Sequence, residues 1–330
     1  MNIIVRNERI SDYSPIANVN YEAFLAWHPD NQYVSEPLMV GLLRHNSLYD
    51  PELSLVAELE GKIIGHALFS PFRFVVLGRE EKGVVLGPIA VDPKFQRAGV
   101  GKFLIQEGHR KALEKGFSFS LLCGHTDYYP KFGYKTKMFS LSGSKVSINR
   151  DRFNHEDFRE RPVNEQDIPW MVGAWQKMHG KDNLALFPGF HISEWSNHGF
   201  QCRCTVVLKG GQILGYARYV KSDPLSIKDL VVLDGGMPDM LAYLAWKHYG
   251  KPQGDIHLSL SDETVNRGIS GSESFKAENK QAAHGAFMIK VLDEQNSSIS
   301  EYCRQVENGD MKPGIIVFPP MFDVDDGRVD

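Results

Sequence analysis

Long apolar runs are missing from this 330-residue chain. No stretch of about 18 consecutive apolar residues occurs, so no membrane-spanning helix and no membrane partner are expected. Cysteine is scarce. The four cysteines, Cys123, Cys202, Cys204 and Cys303, form no Cys-x-x-Cys pair. That argues against a disulfide framework and against a metal site, so no metal is expected. Cys202 and Cys204 alternate along a strand-like stretch and read as reduced thiols on one face. Cys123 sits in an apolar strand pattern and reads as buried and inert. An excess of charge is absent too: 37 Lys and Arg against 41 Asp and Glu leave a net charge of −4. Without a basic block, no nucleic-acid partner is expected. There is no Gly-x-Ser-x-Gly elbow, no His-Glu-x-x-His and no Walker lysine loop, so those hydrolase, zinc-protease and nucleotide chemistries drop out. The opening MNIIVRNERISDYS lacks the charged-then-apolar layout of a secretory leader, and a cytoplasmic location is the expectation.

What is present is an ordinary globular composition, 42% hydrophobic and 24% charged, in a chain long enough for two cores. The informative stretch is Gly83–Gly101, GVVLGPIAVDPKFQRAGVG, followed by a helical pattern to Lys115. Val84-Val85-Leu86 and Ile89-Ala90-Val91 are β-branched and apolar, as a buried strand requires. Gly87 and Pro88 interrupt them, and neither suits a regular ladder. The strand should be bulged or splayed there, with backbone groups left free. Gln96-Arg97-Ala98-Gly99-Val100-Gly101 then opens the helix. Glycines here allow positive φ and close approach of a ligand, and the free N–H groups of a helix start favour an anion such as a pyrophosphate.

The Gln-x-x-Gly-x-Gly pattern after a strand ending Ala-Val-x-Pro resembles the acyl-CoA-binding motif of the GCN5-related N-acetyltransferase (GNAT) superfamily. Some thirty residues on, Tyr128-Tyr129-Pro130-Lys131-Phe132-Gly133-Tyr134 resembles that superfamily's aromatic-Tyr-x-x-x-Gly-aromatic element. The resemblance implies an α/β (α+β) fold of mixed β-sheet flanked by helices. It implies an N-acetyltransferase with acetyl-CoA as donor and a small-molecule amine or protein amino group as acceptor, attacking directly in a ternary complex. Carried onto this chain, it places pantetheine along Ile89, Ala90 and Val91, and pyrophosphate on Gln96, Arg97, Ala98, Gly99, Val100, Gly101 and Lys102. Tyr129, four residues before Gly133, matches the tyrosine that protonates the departing thiolate. His125 follows the strand whose end faces the donor and is the second catalytic candidate. Spacing singles out no base among Glu22, His28, Asp30, Glu58, His66 and His125. The alternative reading is an acyl-CoA-responsive binding or regulatory protein without turnover.

Hydrophobic patterning sets out the elements. A strand at Ile3–Arg6 precedes helices at Ile16–Ala26 and Glu36–His45. A hairpin turns at Gly61-Lys62, and Val84–Val91 is followed by the helix Gly101–Lys115. The strand Phe117–Cys123 and a closing strand Phe139–Ile148 complete the unit. Asp151–Glu160 is polar and reads as a linker. A faint repeat follows. Arg161-x5-Asp167 echoes Arg6-x5-Asp12, and GQILGYA at Gly211–Ala217 echoes GKIIGHA at Gly61–Ala67. Leu230–Leu233 stands where Ile89–Val91 stood. The expected architecture is therefore two GNAT-like mixed-sheet domains. Residues 1–150 form the catalytic one, 151–160 the linker and 161–295 a degenerate copy. Residues 296–330 form a polar tail with one possible edge strand at Gly314–Phe318. In the second copy Leu233-Asp234-Gly235-Gly236-Met237-Pro238 replaces the glycine loop, so acyl-CoA is not expected there. Pairing between the two copies makes a monomer plausible beside a homodimer.

Overall fold

A computed structural model describes residues 2–27 and 33–324. In chain order the first half contains β1 (Ile4–Asn7), α1 (Tyr13–Phe24), α2 (Glu36–Leu43), β2 (Ser54–Leu59), β3 (Lys62–Val76), β4 (Arg79–Val91), α3 (Val100–Glu114), β5 (Phe119–Cys123), β6 (Phe139–Ser140) and β7 (Ser144–Asn149). The second half contains β8 (Phe158–Pro162), α4 (Ile168–His179), β9 (Leu184–Phe187), β10 (Cys202–Lys209), β11 (Gln212–Val220), β12 (Ser226–Val232), α5 (Met237–Tyr249), β13 (Gln253–Leu258), α6 (Asp262–Gly268), β14 (Phe275–Asn279), β15 (Phe287–Val291), α7 (Ser297–Asn308) and β16 (Gly314–Ile315). The strands make two mixed, seven-stranded sheets flanked by helices, and β6 and β16 pair as a short parallel ribbon.

The repeat seen in the sequence is a repeat in space. Arg6 donates through both terminal nitrogens to Asp12 at 2.6 and 3.0 Å, and Arg161 does the same to Asp167 at 2.6 and 2.7 Å. In each copy the aspartate also accepts an amide three residues upstream and so closes the turn that starts the helix. A bidentate arginine on the first strand thus orients the first helix twice.

The two sheets exchange a strand. The first sheet runs β1-β2-β3-β4-β5-β15, with β9 against the far end of β3. The second runs β14-β7-β13-β12-β11-β10-β8. β7 lies between β13 and β14, where Val146 faces Ile256 on one side and Ala277 on the other. β15 pairs antiparallel with β5, Met288 opposite Leu122. This corrects the reading of Phe139–Ile148 as a closing strand of the first sheet. Only Phe139–Ser140 stays near it, and Ser144–Asn149 buries Val146 and Ile148 in the second core. Residues 1–150 expressed alone should fail to give a cooperative thermal transition as a monomer, because β7 loses both neighbours and β5 loses β15. A soluble monomeric fragment with full-chain cooperativity would contradict this.

Three further segments differ from the sequence reading. The supposed linker contributes β8, an edge strand pairing with β10. The polar stretch after Leu260 contains α6, capped by Ser261, and β14. The tail contains α7, whose N-cap Asn296 accepts the amides of Ser298 and Ile299. Its Ile299, Tyr302 and Cys303 are buried with Phe72, Phe74, Phe119 and Leu121 behind the first sheet. That amphipathic spacing is visible in the sequence, but the surrounding polar residues mask it. After α7 the chain lies along both sheets. Arg218, fully buried on β11, meets Asp323 at 2.9 Å and donates to the Phe318 carbonyl at 2.6 Å. Of the expected edge strand, only Gly314–Ile315 pairs, parallel to β6.

Candidate active site

β4 and β5 run in parallel for three residue pairs only, Gly83–Phe119, Val84–Ser120 and Val85–Leu121. Beyond them β4 continues to Val91 against β3 alone. The cause is local. The β3–β4 register slips between Ala67 and Phe69, where Gly87 and Pro88 stand opposite Leu68. A proline has no amide hydrogen for the ladder and a glycine no side chain to pack. The strand leaves β5, and one backbone edge of Leu86–Val91 has no strand beside it. Ala90 is buried against α1, while Ile89 and Val91 pack toward α3.

The loop that follows is braced from both ends. Asp92 accepts the Lys94 amide at 3.0 Å and Lys62 Nζ at 2.9 Å, and its own amide donates to Ile64. Gln96 donates back to the Val91 carbonyl at 3.3 Å. Arg97 adopts φ 64° and Gly99 φ 85°, two left-handed residues that turn the chain into α3. Phe103 donates to the Gly99 carbonyl, so the amides of Gly99 through Lys102 lie ahead of the helical ladder with no upstream carbonyl to reach. Gln96, Arg97, Ala98 and Lys102 are exposed around them. The helix dipole, the free amides and the two cations favour an anion at this turn. Gly101 is required for a reason the sequence hides: a Cβ there would lie 2.6 Å from the Tyr128 hydroxyl.

The chain leaves β5 through Gly124 and His125. The His125 carbonyl accepts the amides of Tyr128 and Tyr129, which starts the short helix Tyr129–Phe132. The three tyrosines are placed differently. Tyr134 is fully engaged, with Ser120 at 2.7 Å and His109 at 2.9 Å. Tyr128 is half-buried over Gly101. Tyr129 is buried against Gly124, with its ring 5.2 Å from Tyr128 and 5.9 Å from Tyr134. Its hydroxyl has no hydrogen-bond partner among the described residues. Burial, and then the neighbouring Tyr128, pushes the Tyr129 phenol above its ordinary range. A phenol of that kind stays protonated at neutral pH and has its proton free to give.

His125 is exposed, with its ring 5.0 Å from Trp27, which in turn lies 6.1 Å from Phe24. The end of β5 and the end of α1 therefore meet over the opening. By pattern Trp27 reads only as one of several helical aromatics, a core or cleft wall, and its place beside His125 is set by the fold. Among the candidate bases, Glu58 accepts Arg6 at 2.7 Å. His66 is buried and hydrogen-bonded to Asn20 and Ser54, and burial pushes it down to about 4, so it is held neutral away from solvent. Glu22 is exposed on α1. His28 and Asp30 lie outside the described residues. Cys202 and Cys204 are free thiols as expected, both buried, whereas Cys123, at the end of β5, is exposed. No cluster of three metal-ligating side chains occurs among the described residues, and no helix there is long and apolar enough to cross a membrane.

The second sheet repeats the divergence without the loop. β12 and β13 pair only at Ser226–His257 and Ile227–Leu258. α5 then begins at Met237 with Pro238 as its second residue, which removes one of the amides that α3 presents.

Comparison with known proteins points one way. Residues 19–134 match the Acetyltransferase (GNAT) family. The uncharacterized N-acetyltransferase YjhQ of Escherichia coli K12 is 34% identical over 127 residues, 38% of this chain and 65% of its own length. The chain thus spans a little under two thirds of that relative. A GNAT family acetyltransferase from Brucella melitensis, solved in complex with acetyl-CoA, is 35% identical across 41% of this chain and 84% of its own, with a TM-score of 0.36. A probable N-acyltransferase of unknown function from Enterococcus faecalis V583 covers 89% of this chain and 74% of its own at 11% identity, with a TM-score of 0.62. That last likeness, which spans both sheets, concerns the fold alone.

Proposed function

We propose that this chain, which has a GNAT-superfamily acetyltransferase fold with the GNAT-like sheet repeated, transfers an acetyl group from acetyl-CoA to an amine. The observation that carries the reading is the conjunction at one gap. The free edge of β4 after Val85 and the start of α3 border it, and Tyr129 is buried in the same apolar cluster as Leu86, Ile89, Val91 and Val100. The backbone of Ile89–Val91 lies along the pantetheine, and residues 96–102 hold the pyrophosphate. Holding donor and acceptor in line removes much of the entropic cost of a two-substrate reaction.

The amine nitrogen attacks the thioester carbon, and the carbonyl electrons move to oxygen. A backbone N–H on the free β4 edge stabilises that oxyanion. The C–S bond then breaks as the amide forms. The CoA thiolate takes its proton from Tyr129, and the proton lost by the amine leaves through His125 or water. Burial raises the phenol, but it desolvates the thiolate as well and makes it more basic, so the transfer stays feasible. The relative solved with acetyl-CoA supports the choice of donor. The acceptor, a small amine or an exposed amino group, enters beside Trp27 and His125. Residues 1–150 carry the catalytic unit, and the second copy, without a phosphate cradle, shapes the assembly. A cytoplasmic monomer or homodimer fits this reading.

Thiol release from acetyl-CoA across a panel of primary amines tests the proposal. Turnover that depends on the amine is expected. Tight CoA binding with no turnover on any amine would favour an acyl-CoA-responsive binding protein instead.

A further inference from the structure

The Tyr129 ring has no polar tether. Its hydroxyl bonds nothing among the described residues, and packing on Gly124, Tyr128 and Tyr134 sets its place. Tyr134 is the neighbour that is tied down. It is 3% exposed, and its hydroxyl lies 2.7 Å from Ser120 Oγ on β5 and 2.9 Å from His109 Nε2 on α3. One phenol oxygen thus joins the strand that β4 leaves, the helix whose start presents free amides, and the chain just past the short helix that carries Tyr129.

Each partner is brought within reach locally. Ser120 is fully buried in the short parallel stretch with β4. α3 lies close on β3 because Gly108 has no side chain; a Cβ there would overlap the Phe69 ring. His109, the next residue, then meets the Tyr134 ring at 5.4 Å. Lys290 of β15 stands opposite Ser120 and packs its Nζ on Gly133, where a Cβ would lie 2.9 Å away. Burial, and then the Lys290 charge, push His109 down to about 3, so the imidazole is neutral at physiological pH. With Tyr134 donating to Nε2 and Ser120 donating to the phenol oxygen, neither hydroxyl hydrogen lacks an acceptor. Through Lys290 the exchanged strand contributes to this anchor.

We propose that Tyr134 is a positioning residue for Tyr129: Ser120 and His109 anchor its hydroxyl, and its ring holds the Tyr129 phenol in line with the departing thiolate. The inference deepens the transferase reading and rests on it. Tyr134 itself moves no proton. Its ring meets that of Tyr129 edge to face, at 77°, a contact that fixes direction as well as distance.

Tyr134→Phe in the full chain keeps the ring and cuts both hydrogen bonds. It should lower kcat for acetyl transfer roughly 10- to 100-fold, the scale of a small misplacement, and leave CoA affinity and the amine KM within about twofold. His109→Leu should act in the same direction. His109→Gln still offers Tyr134 an acceptor and should recover most of the loss. Melting curves establish that each variant is folded, and the His109 pair carries the test if Tyr134→Phe is not. In a Tyr129→Phe background, Tyr134→Phe should lower kcat no further, because the phenol it acts through is already gone. An equal loss in both backgrounds, or an unchanged kcat in folded Tyr134→Phe, would overturn the proposal. A crystal structure of Tyr134→Phe reads the position without turnover: the Tyr129 ring should shift from Gly124 or take two orientations. A ring in its original place would also overturn the proposal. A wild-type chain without amine-dependent turnover would sink the transferase reading instead, and a displaced Tyr129 ring would still uphold the anchoring.

Discussion

Tyr129→Phe lowers kcat for acetyl transfer by roughly 10²- to 10⁴-fold, the range for removing a positioned general acid. The affinity for CoA stays close to that of the wild type. The two effects separate because the hydroxyl forms no hydrogen bond within the described residues and the ring does the packing. Phenylalanine keeps the ring against Gly124 and loses only the proton. The melting temperature of the variant should therefore match the wild type within a degree or two. Stopped-flow measurement of thiol release at saturating acetyl-CoA reads the chemical step directly. A fall of less than tenfold, with unchanged CoA affinity, would mean that another group or solvent protonates the thiolate. Tyr128→Phe is the internal comparison. It removes the hydroxyl that sits over Gly101, so its effect should fall on CoA affinity more than on kcat.

Gly99→Glu should abolish detectable CoA binding in a calorimetric titration while the protein remains folded. Strain and charge act together. The φ of 85° is left-handed, and a residue with a Cβ there costs about 1–2 kcal/mol. Charge has the greater effect: a carboxylate would stand where the helix start concentrates positive potential, against the charge of a pyrophosphate. Folding survives because the nearest atom to a Cβ at this position is in the Phe103 ring, at 3.8 Å. Gly99→Ala isolates the strain and should cost only part of the affinity. Unchanged affinity in the glutamate variant would move the phosphate site away from this turn.

Both predictions rest on features readable in the sequence. Gly87-Pro88 inside a β-branched run announces a strand that cannot keep a ladder, and β4 leaves β5 just ahead of it, after Val85. Gly99 announces a left-handed turn, and the turn is there. The paired Arg-x5-Asp motifs announce a repeat, and both ion pairs form with the same geometry. The base is not readable. Glu58 and His66 are withdrawn by partners 52 and 46 residues away in the chain, Arg6 and Asn20, and no local pattern marks such engagement. Trp27 beside His125 and the Tyr128 hydroxyl over Gly101 are likewise contacts across the fold.

On its own, the sequence determined the local chemistry of this protein: where the strand must break, which turn can cradle an anion, which tyrosine follows, and that the pattern occurs twice. Those features depend on backbone freedom and side-chain period, which act over a few residues. Only the tertiary structure decided that β7 and β15 trade sheets, that the tail helix closes the first core, and that Arg218 is sealed by Asp323. Either of two apolar strands fits either sheet by pattern alone. The choice is made by packing between residues more than a hundred positions apart, where total burial and complete hydrogen bonding favour one arrangement of the whole chain.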